Sequence, residues 1–562
     1  MPIQKIWKIR SPNPQLQVKL SDALGVHPVI AQLLINRGVT DSSQAKIFLS
    51  SNIADLHDPF LLKDMDKAVA RIKLAQQNRE KVLVHGDYDV DGVTSTAILH
   101  KALTKLGLEV INYIPHRVHD GYGLNENVVT VAQTKKVSLL IAVDCGVTAN
   151  RQVELLNKAG IDVIVIDHHE PSEEGIPAAV AVVDPKRKDC SYPFKHLAAV
   201  GLVAKLTHAL FGEMQVEDLD LVALGTIADV VQLTGENRII VKAGLPRISA
   251  TTNKGLSALM EVARIKDKKM RPYHAGFILG PRLNATGRMD SAQKSLDLLL
   301  SETDGEAEEL AQFLETTNGE RQRLQREIIE DAISLVEREV NFRDHKVIVL
   351  SKAGWHKGVL GIVASRLAET YYRPAIVISL QDGVGTASAR SIEGFHLHEA
   401  LASCAPMLEN FGGHKLAAGL TIREENVDRF RAAINDFAQD ILEVRDLMPS
   451  LDIDLEVPLS GVSLDLVSLI DDLEPYGEGN PEPVFCSRQL TVKSKPMVMG
   501  KETLKFWVTD GNVALSAVGF GMSKYKDLVV MNQKIDLAYQ LMVDDWNKAP
   551  TLGLKIKDIR SV

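Results

Sequence analysis

The chain has 562 residues, of which 45% are hydrophobic and 24% charged, with a formal net charge of −9. That is the balance of a globular protein of several domains, and it argues against a surface coated in positive charge for duplex DNA, though a local basic groove is compatible with it. No run of about 18 apolar residues can span a bilayer, the N-terminus lacks a secretory layout, and Cys145, Cys190, Cys404 and Cys486 form no C-x-x-C pair. A cytoplasmic protein without membrane contact, zinc knuckle or disulfide framework is therefore expected.

Residues 1–75 are expected to form a helical segment, with PVIAQLLINRG and SSQAKIFL as amphipathic pieces and Gly38 as a helix C-cap. From Lys81 the texture changes. KVLVH, LEVINYIP, VSLLIAVD, IDVIVID and AVAVVD are short apolar runs alternating with helix-length segments, which predicts repeated βαβ units on a parallel sheet over residues 76–300. Residues 301–340 are charged, lack proline and have helical periodicity, so they predict a long connecting helix with Gly319 as its weak point. A second α/β unit over 341–448 contains KVIVLS, VLGIVASRLAETYY and AIVIS, the loop TASARSIEGFH and the stretch FGGHKLAAGL. Over 449–562 short alternating strands around an Asp510-Gly511 turn predict a small β-barrel. The basic clusters Lys186-Arg187-Lys188 and Arg264 to Arg271 read first as solvated faces.

In a parallel sheet, ligands bind beyond the carboxyl ends of the strands. His85, Asp144, Asp167-His168-His169 and Asp184 each close one of these apolar runs, so they are expected to converge. Any single aspartate is explained as a turn or helix-capping residue, and Asp184 before Pro185 is read that way. The group is not, because packing several anions together is costly unless cations neutralise them. An oxygen-rich set with a minority of imidazoles suits Mg2+ or Mn2+, and manganese tolerates the nitrogen ligands better. In VHGDYDVDG, the H-x-x-x-D-x-D-G pattern brings an imidazole and two carboxylates into one loop, and Gly92 lets the backbone turn into the helix that follows.

At these residues the chain resembles the DHH phosphoesterase superfamily, named for the triplet that is Asp167-His168-His169 here, and within it the single-stranded-DNA-specific 5′ exonucleases. The resemblance runs in order through HGDYDVDGVT, AVDCGVTA, VIDHHE, LGTIADVV, GPRLNATGRMD, TASARS, FGGHKLAAG and EPYGEGNPEPVF. It implies a DHH catalytic domain, a DHH-associated domain and an OB-type β-barrel. It further implies two divalent cations, with His85, Asp89 and Asp144 on one and Asp91, Asp144, His168 and Asp229 on the other. By the same resemblance His169 faces the scissile phosphate, while Asp87 and Asp167 orient their neighbours.

The resemblance also implies a metal-activated water as nucleophile, with Cys145 a packed small residue rather than a catalytic thiol. Arg117, Arg282, Asn284, Arg288, Ser388 and Arg390 are the candidates for holding the substrate backbone and its 5′-phosphate, joined by Gly412-Gly413-His414, where bare backbone admits phosphates. In the barrel, Phe506 and Trp507, with Tyr539 and Trp546, are candidates for stacking unpaired bases. The expected product is 5′-mononucleotides from 5′-ended single-stranded DNA, in DNA repair and recombination. The expected state is a monomer, with a helicase and a single-strand-binding protein as partners. Two alternatives are a phosphatase of small nucleotides, for which a barrel is superfluous, and a non-catalytic DNA-binding relative, for which the ligand set would be broken.

Overall fold

The computed structural model describes residues 4–116, 123–500, 502–544 and 550–562. The chain divides into two compact units, one of residues 18–319 with 472–482, the other of residues 1–17, 320–471 and 483–562. Among the described residues no single helix is long and apolar enough to cross a membrane.

In the first unit the apolar runs form an all-parallel sheet in the order Glu109–Tyr113, Lys81–Gly86, Leu139–Val143, Asp162–Ile166, Ala181–Val183. The middle strands are buried along almost their whole length because helices cover both faces, which is why they read as continuous rather than alternating apolar runs. Strand order reverses between Lys81–Gly86 and Leu139–Val143, so the loops leaving these two strands part to opposite sides and leave a crevice at their carboxyl ends. Helices Val90–Lys105, Ala199–Phe211 and Leu219–Ala228 pack together beside that crevice.

Residues 472–482, which include most of EPYGEGNPEPVF, belong to this same unit. The fully buried Arg238 donates from Nε to Phe48 O (2.6 Å), from Nη2 to Glu474 O (2.9 Å) and from Nη1 to Pro475 O (3.3 Å), and lies over the Phe48 ring. Burial, aided by the charge of Arg37, brings its guanidinium down to about 10. Asn480 donates to Leu473 O and Pro475 O and accepts from Arg37, and Leu233 N donates to Glu478 O at 2.7 Å. The glycines are needed here: a Cβ on Gly477 would lie 2.7 Å from the Leu233 side chain.

In the second unit, strands Ile348–Ala353 and Ala375–Gln381 are parallel, and Val384–Arg390, Ala417–Arg423 and Leu408–Gly413 continue the sheet antiparallel. TASAR, expected as a loop, is therefore strand: small residues on alternate positions let it lie between two neighbours, with Gly385, Ala387 and Ala389 buried. The C-terminal sheet runs from Leu455–Glu456 through Phe485–Val492, Lys534–Asp544, Thr551–Ser561, Ala514–Gly519 and Thr503–Thr509 to Met497–Met499. A pairing of Phe485–Val492 with Thr503–Thr509 closes it as a barrel. The N-terminal segment is not wholly helical: Ile6–Ile9 is a strand parallel to Ser450–Ile453. Helix Asp304–Glu339 runs 36 residues straight through Gly319.

Replacing Arg238 by Ala strands three buried carbonyls and opens a cavity. It should destabilise the first unit by about 3 kcal/mol or more, read as a lowered thermal transition that Arg238→Lys restores in part.

Candidate metal centre

The His85–Asp91 loop is folded back onto the helix it precedes. Asp89 caps Val90–Lys105 by accepting from Gly92 N (3.1 Å), and a Cβ on Gly92 would collide with Asp87 O, so only glycine permits the turn. Asp91 is buried, and its two oxygens accept from Ala199 N and Val200 N, both at 2.8 Å. These are N-terminal amides of helix Ala199–Phe211, whose positive end suits an anion. Asp144 leaves strand Leu139–Val143 at φ 61°, a left-handed conformation that costs a non-glycine residue energy and turns its carboxylate into the crevice.

Asp167 joins two of these loops. It accepts from Val147 N (2.9 Å), from His168 N (2.8 Å) and from His169 Nδ1 (2.7 Å). The adjacent His168 turns the other way, with Nε2 3.2 Å from Asp144 Oδ1, 3.6 Å from Asp229 Oδ2 and 3.9 Å from Asp91 Oδ2. Asp229 reaches the same point as the C-cap of helix Leu219–Ala228, ahead of Val230 at φ 59°.

Three trios have ligand atoms within 4.8 Å of one another: Asp91, His168 and Asp229; Asp144, His168 and His169; Asp87, Asp89 and Asp144. Among the described residues His85 joins none of these trios. It is fully buried at the strand end, with Nδ1 3.6 Å from Cys145 Sγ and its ring against Tyr113. Asp87 and His169, expected beside the ions rather than on them, do lie within these trios.

The electrostatics are those of anions lacking a counter-charge. Burial, then the charge of Asp89, raises Asp91 to about 7, against the pull of its two amide donors. Burial, then Asp91 and Asp89, raises Asp229 to about 9, and burial with four neighbouring carboxylates lifts Asp144 well above the usual range. Burial brings His168 down to about 3. Asp167 goes the other way: burial alone would raise it, but the His169 bond and charge outweigh that and hold it at about 2, while the same bond raises His169. His168 Nε2 and Asp229 Oδ2 are both buried and make no hydrogen bond. Orphaned acceptors aimed at one point, among carboxylates that repel one another, fit a divalent cation with oxygen ligands and an imidazole. Burial and the nearby Asp167 push the Cys145 thiol up, which leaves no thiolate for catalysis. Asp184 accepts from Lys186 N as a turn residue should, although it is fully buried.

Beside the carboxylates lies a cavity of about 290 Å3 lined by Asp87, Tyr88, Asp89, Asn284, Gly287 and Arg288. Asn284 and Arg288 are one turn apart on helix Gly280–Met289 and so share a face, and a Cβ on Gly287 would lie 2.7 Å from Tyr88 O. Half a turn away, the guanidinium of Arg282, also a candidate substrate contact, is engaged by Glu315 and Ile278 O. Arg187, from a cluster expected to be solvated, is buried between Asp64 and Asp189.

In the second unit Ser388 and Arg390 lie on one face of their strand, with Arg390 Nη1 3.4 Å from Ser388 Oγ. The glycine at 361 admits both, since a Cβ there would lie 3.1 Å from Ser388 Oγ and 3.2 Å from Arg390 Nη2. Gly412, Gly413 and His414 form an exposed hairpin end, where Gly413 at φ 137° would put a Cβ 2.5 Å from Ala417 O. In the barrel, strand alternation turns Phe506 inward to 1% exposure, which rules out base stacking, and leaves Trp507 46% exposed. Tyr539 is buried against Ser487. Arg117 and Trp546 lie outside the described residues.

The model of the DHH family, N-terminal domain, matches residues 81–226, that of the DHHA1 domain residues 344–440, and that of the RecJ OB domain residues 453–558. The single-stranded-DNA-specific exonuclease RecJ of Bacillus subtilis is 39% identical over 555 residues, 98% of this chain and 70% of that relative. The RecJ of Escherichia coli is 33% identical over 560 residues, 95% of this chain and 96% of the relative. A crystal structure of RecJ in complex with Mn2+ from Thermus thermophilus superposes with a TM-score of 0.85 at 30% identity, covering 99% of this chain and 80% of that one.

Asp91 and Asp229 hold protons in the metal-free fold that an unfolded aspartate, at about 4, would release. Their contribution to stability is complete below that pH and drains away as pH rises through about 7 and about 9. Thermal melts of chelated protein should fall over this range, and Mn2+ at 100 times its Kd should restore about 2.7 kcal/mol. Asp144→Asn should raise the metal-free melting temperature at pH 8 while removing the Mn2+ effect.

Proposed function

This chain belongs to the RecJ family of single-stranded-DNA-specific exonucleases, and on that premise we propose that it degrades single-stranded DNA from the 5′ end, releasing 5′-mononucleotides during DNA repair and recombination. Its cofactors are Mn2+ or Mg2+. The observation that carries the reading is the convergence of Asp91, Asp144, His168 and Asp229 at the sheet's reversal point, beside a cavity that Asn284 and Arg288 share.

When bound, a pair of divalent ions supplies the positive charge that activates water and stabilises the charge developing at phosphorus. Asp91, Asp144, His168 and Asp229 would hold one ion, and Asp89 and Asp144, with His85 from the buried strand end behind them, the other. Helix amides fix Asp91, and Asp167 fixes the loop that carries both histidines. Held through Nδ1 by Asp167, His169 donates from Nε2 to a non-bridging oxygen of the scissile phosphate, with Asp167 stabilising the charge on its ring. Arg288 and Asn284 orient the phosphate from the cavity side, and a guanidinium fork does so at any working pH. Ser388 and Arg390 are suited to the terminal 5′-phosphate.

Catalysis belongs to residues 76–300, phosphate and DNA binding to 341–448, and strand delivery to the barrel of 449–562. A match to the RecJ OB domain over residues 453–558 weighs against a small-nucleotide phosphatase. The enzyme works as a cytoplasmic monomer on strands that a helicase opens and a single-strand-binding protein coats.

Strands labelled at either end, with duplex and RNA controls, test this. Labelled mononucleotide should appear at once from a 5′ label and last from a 3′ label, with blunt duplex resistant; equal digestion of duplex rejects the reading. Asp144→Ala should lower the rate about 1000-fold or more. Arg288→Lys should cost roughly tenfold to a hundredfold, since an ammonium cannot reproduce the fork.

A further inference from the structure

The basic run Arg264 to Arg271 is followed at once by two aromatics that the fold does not bury. Tyr273 is 62% and Phe277 74% exposed, and their rings stack on each other at 5.5 Å between centroids and 21° between planes. Residues Ala275–Leu279 form a π-helical turn, a distortion that costs hydrogen-bond geometry and recurs at functional sites. Its inner side lies close against the end of helix Leu219–Ala228. A Cβ on Gly276 would be 3.3 Å from Ile227 Cγ2, and one on Gly280 3.5 Å from Ala228 Cβ, next to Asp229. The outer side is thereby left to carry Phe277.

The turn continues directly into helix Gly280–Met289. Along this run Gly280, Asn284 and Arg288 recur at close to whole turns, with Gly280 against Ala228, which lines the metal-site cavity with the other two, while the π-turn carries Tyr273 and Phe277 just N-terminal to that face, on its outer side. The distance along the axis from Phe277 to Asn284 is roughly 10 Å. Lys268, Lys269 and Arg271 are exposed just upstream, with Arg271 3.5 Å from Glu474.

We propose that Tyr273 and Phe277 are a stacking platform for unpaired bases of the DNA strand whose terminal phosphodiester lies at the metal centre. The proposal rests on the exonuclease reading above. Flat exposed rings accept any base by its face but cannot take one paired inside a duplex, and the adjoining cations complement the strand's phosphates. The continuous helical run sets the platform roughly 10 Å along the axis from Asn284 at the cavity.

Binding of a 3′-fluorescein-labelled single strand to the full chain, followed by anisotropy in EDTA, tests this. The Tyr273→Ala/Phe277→Ala double variant should bind about tenfold or more weakly, with Phe277→Trp close to wild type and the Mn2+ melting shift unchanged. Abasic sites stepped along the strand should weaken wild type at one or two adjacent positions and leave the double variant indifferent there. A double variant that binds like wild type, or keeps the same abasic profile, overturns the platform and leaves the exonuclease reading standing. A wild-type chain that neither binds nor digests single strands overturns both.

Discussion

Repulsion among buried carboxylates organises this protein. Asp91, Asp144 and Asp229 are drawn together where water is scarce, and in the metal-free fold the mismatch shows as carboxyl groups that hold their protons far above the ordinary range. Such a cluster is tolerable only as one half of a larger electrostatic unit, the other half being divalent charge. The parallel sheet makes the cluster possible. Reversal of strand order between Lys81–Gly86 and Leu139–Val143 opens a crevice, and each strand end delivers its acid or imidazole there without a dedicated scaffold.

Much of the surrounding architecture holds these ligands against their own repulsion. Two amides of one helix grip Asp91, the left-handed backbone at Asp144 aims its carboxylate inward, and Asp167 fixes the histidine pair by accepting from both backbone amides and from His169 Nδ1. The turn after Asp229 is backed by residues 472–482: Leu233 bonds to Glu478, and Gly477 and Gly479 lie flat enough to admit Leu233, Gln232 and Thr234. Arg238 and Asn480 fasten that segment from within. Residues 474–482 of the EPYGEGNPEPVF stretch thus brace the turn that carries Asp229.

His168 and His169 illustrate how neighbouring residues of one type are given different electrostatics. Burial keeps His168 neutral, which is the form that offers a lone pair to a cation. Against burial, the Asp167 bond keeps His169 basic, which is the form whose ring nitrogens both donate. A single carboxylate, bonded to one ring and to the backbone of both, sets the two apart.

The sequence by itself determined the parallel sheet, the long helix, the barrel and the cluster of acids at strand ends, because apolar periodicity and strand-closing residues are local signals. Arrangements that depend on which side of an element faces a neighbour were decided only by the tertiary structure. Phe506 and Trp507 are adjacent in sequence, yet strand alternation buries one and exposes the other. Arg282 and Arg288 lie on one helix, yet its rotation gives the first to Glu315 and the second to the cavity. Arg187 looks solvated until Asp64, distant in the chain, is folded against it. The stacked pair at Tyr273 and Phe277 carries no readable motif either, since exposure of an aromatic ring is a property of what fails to cover it.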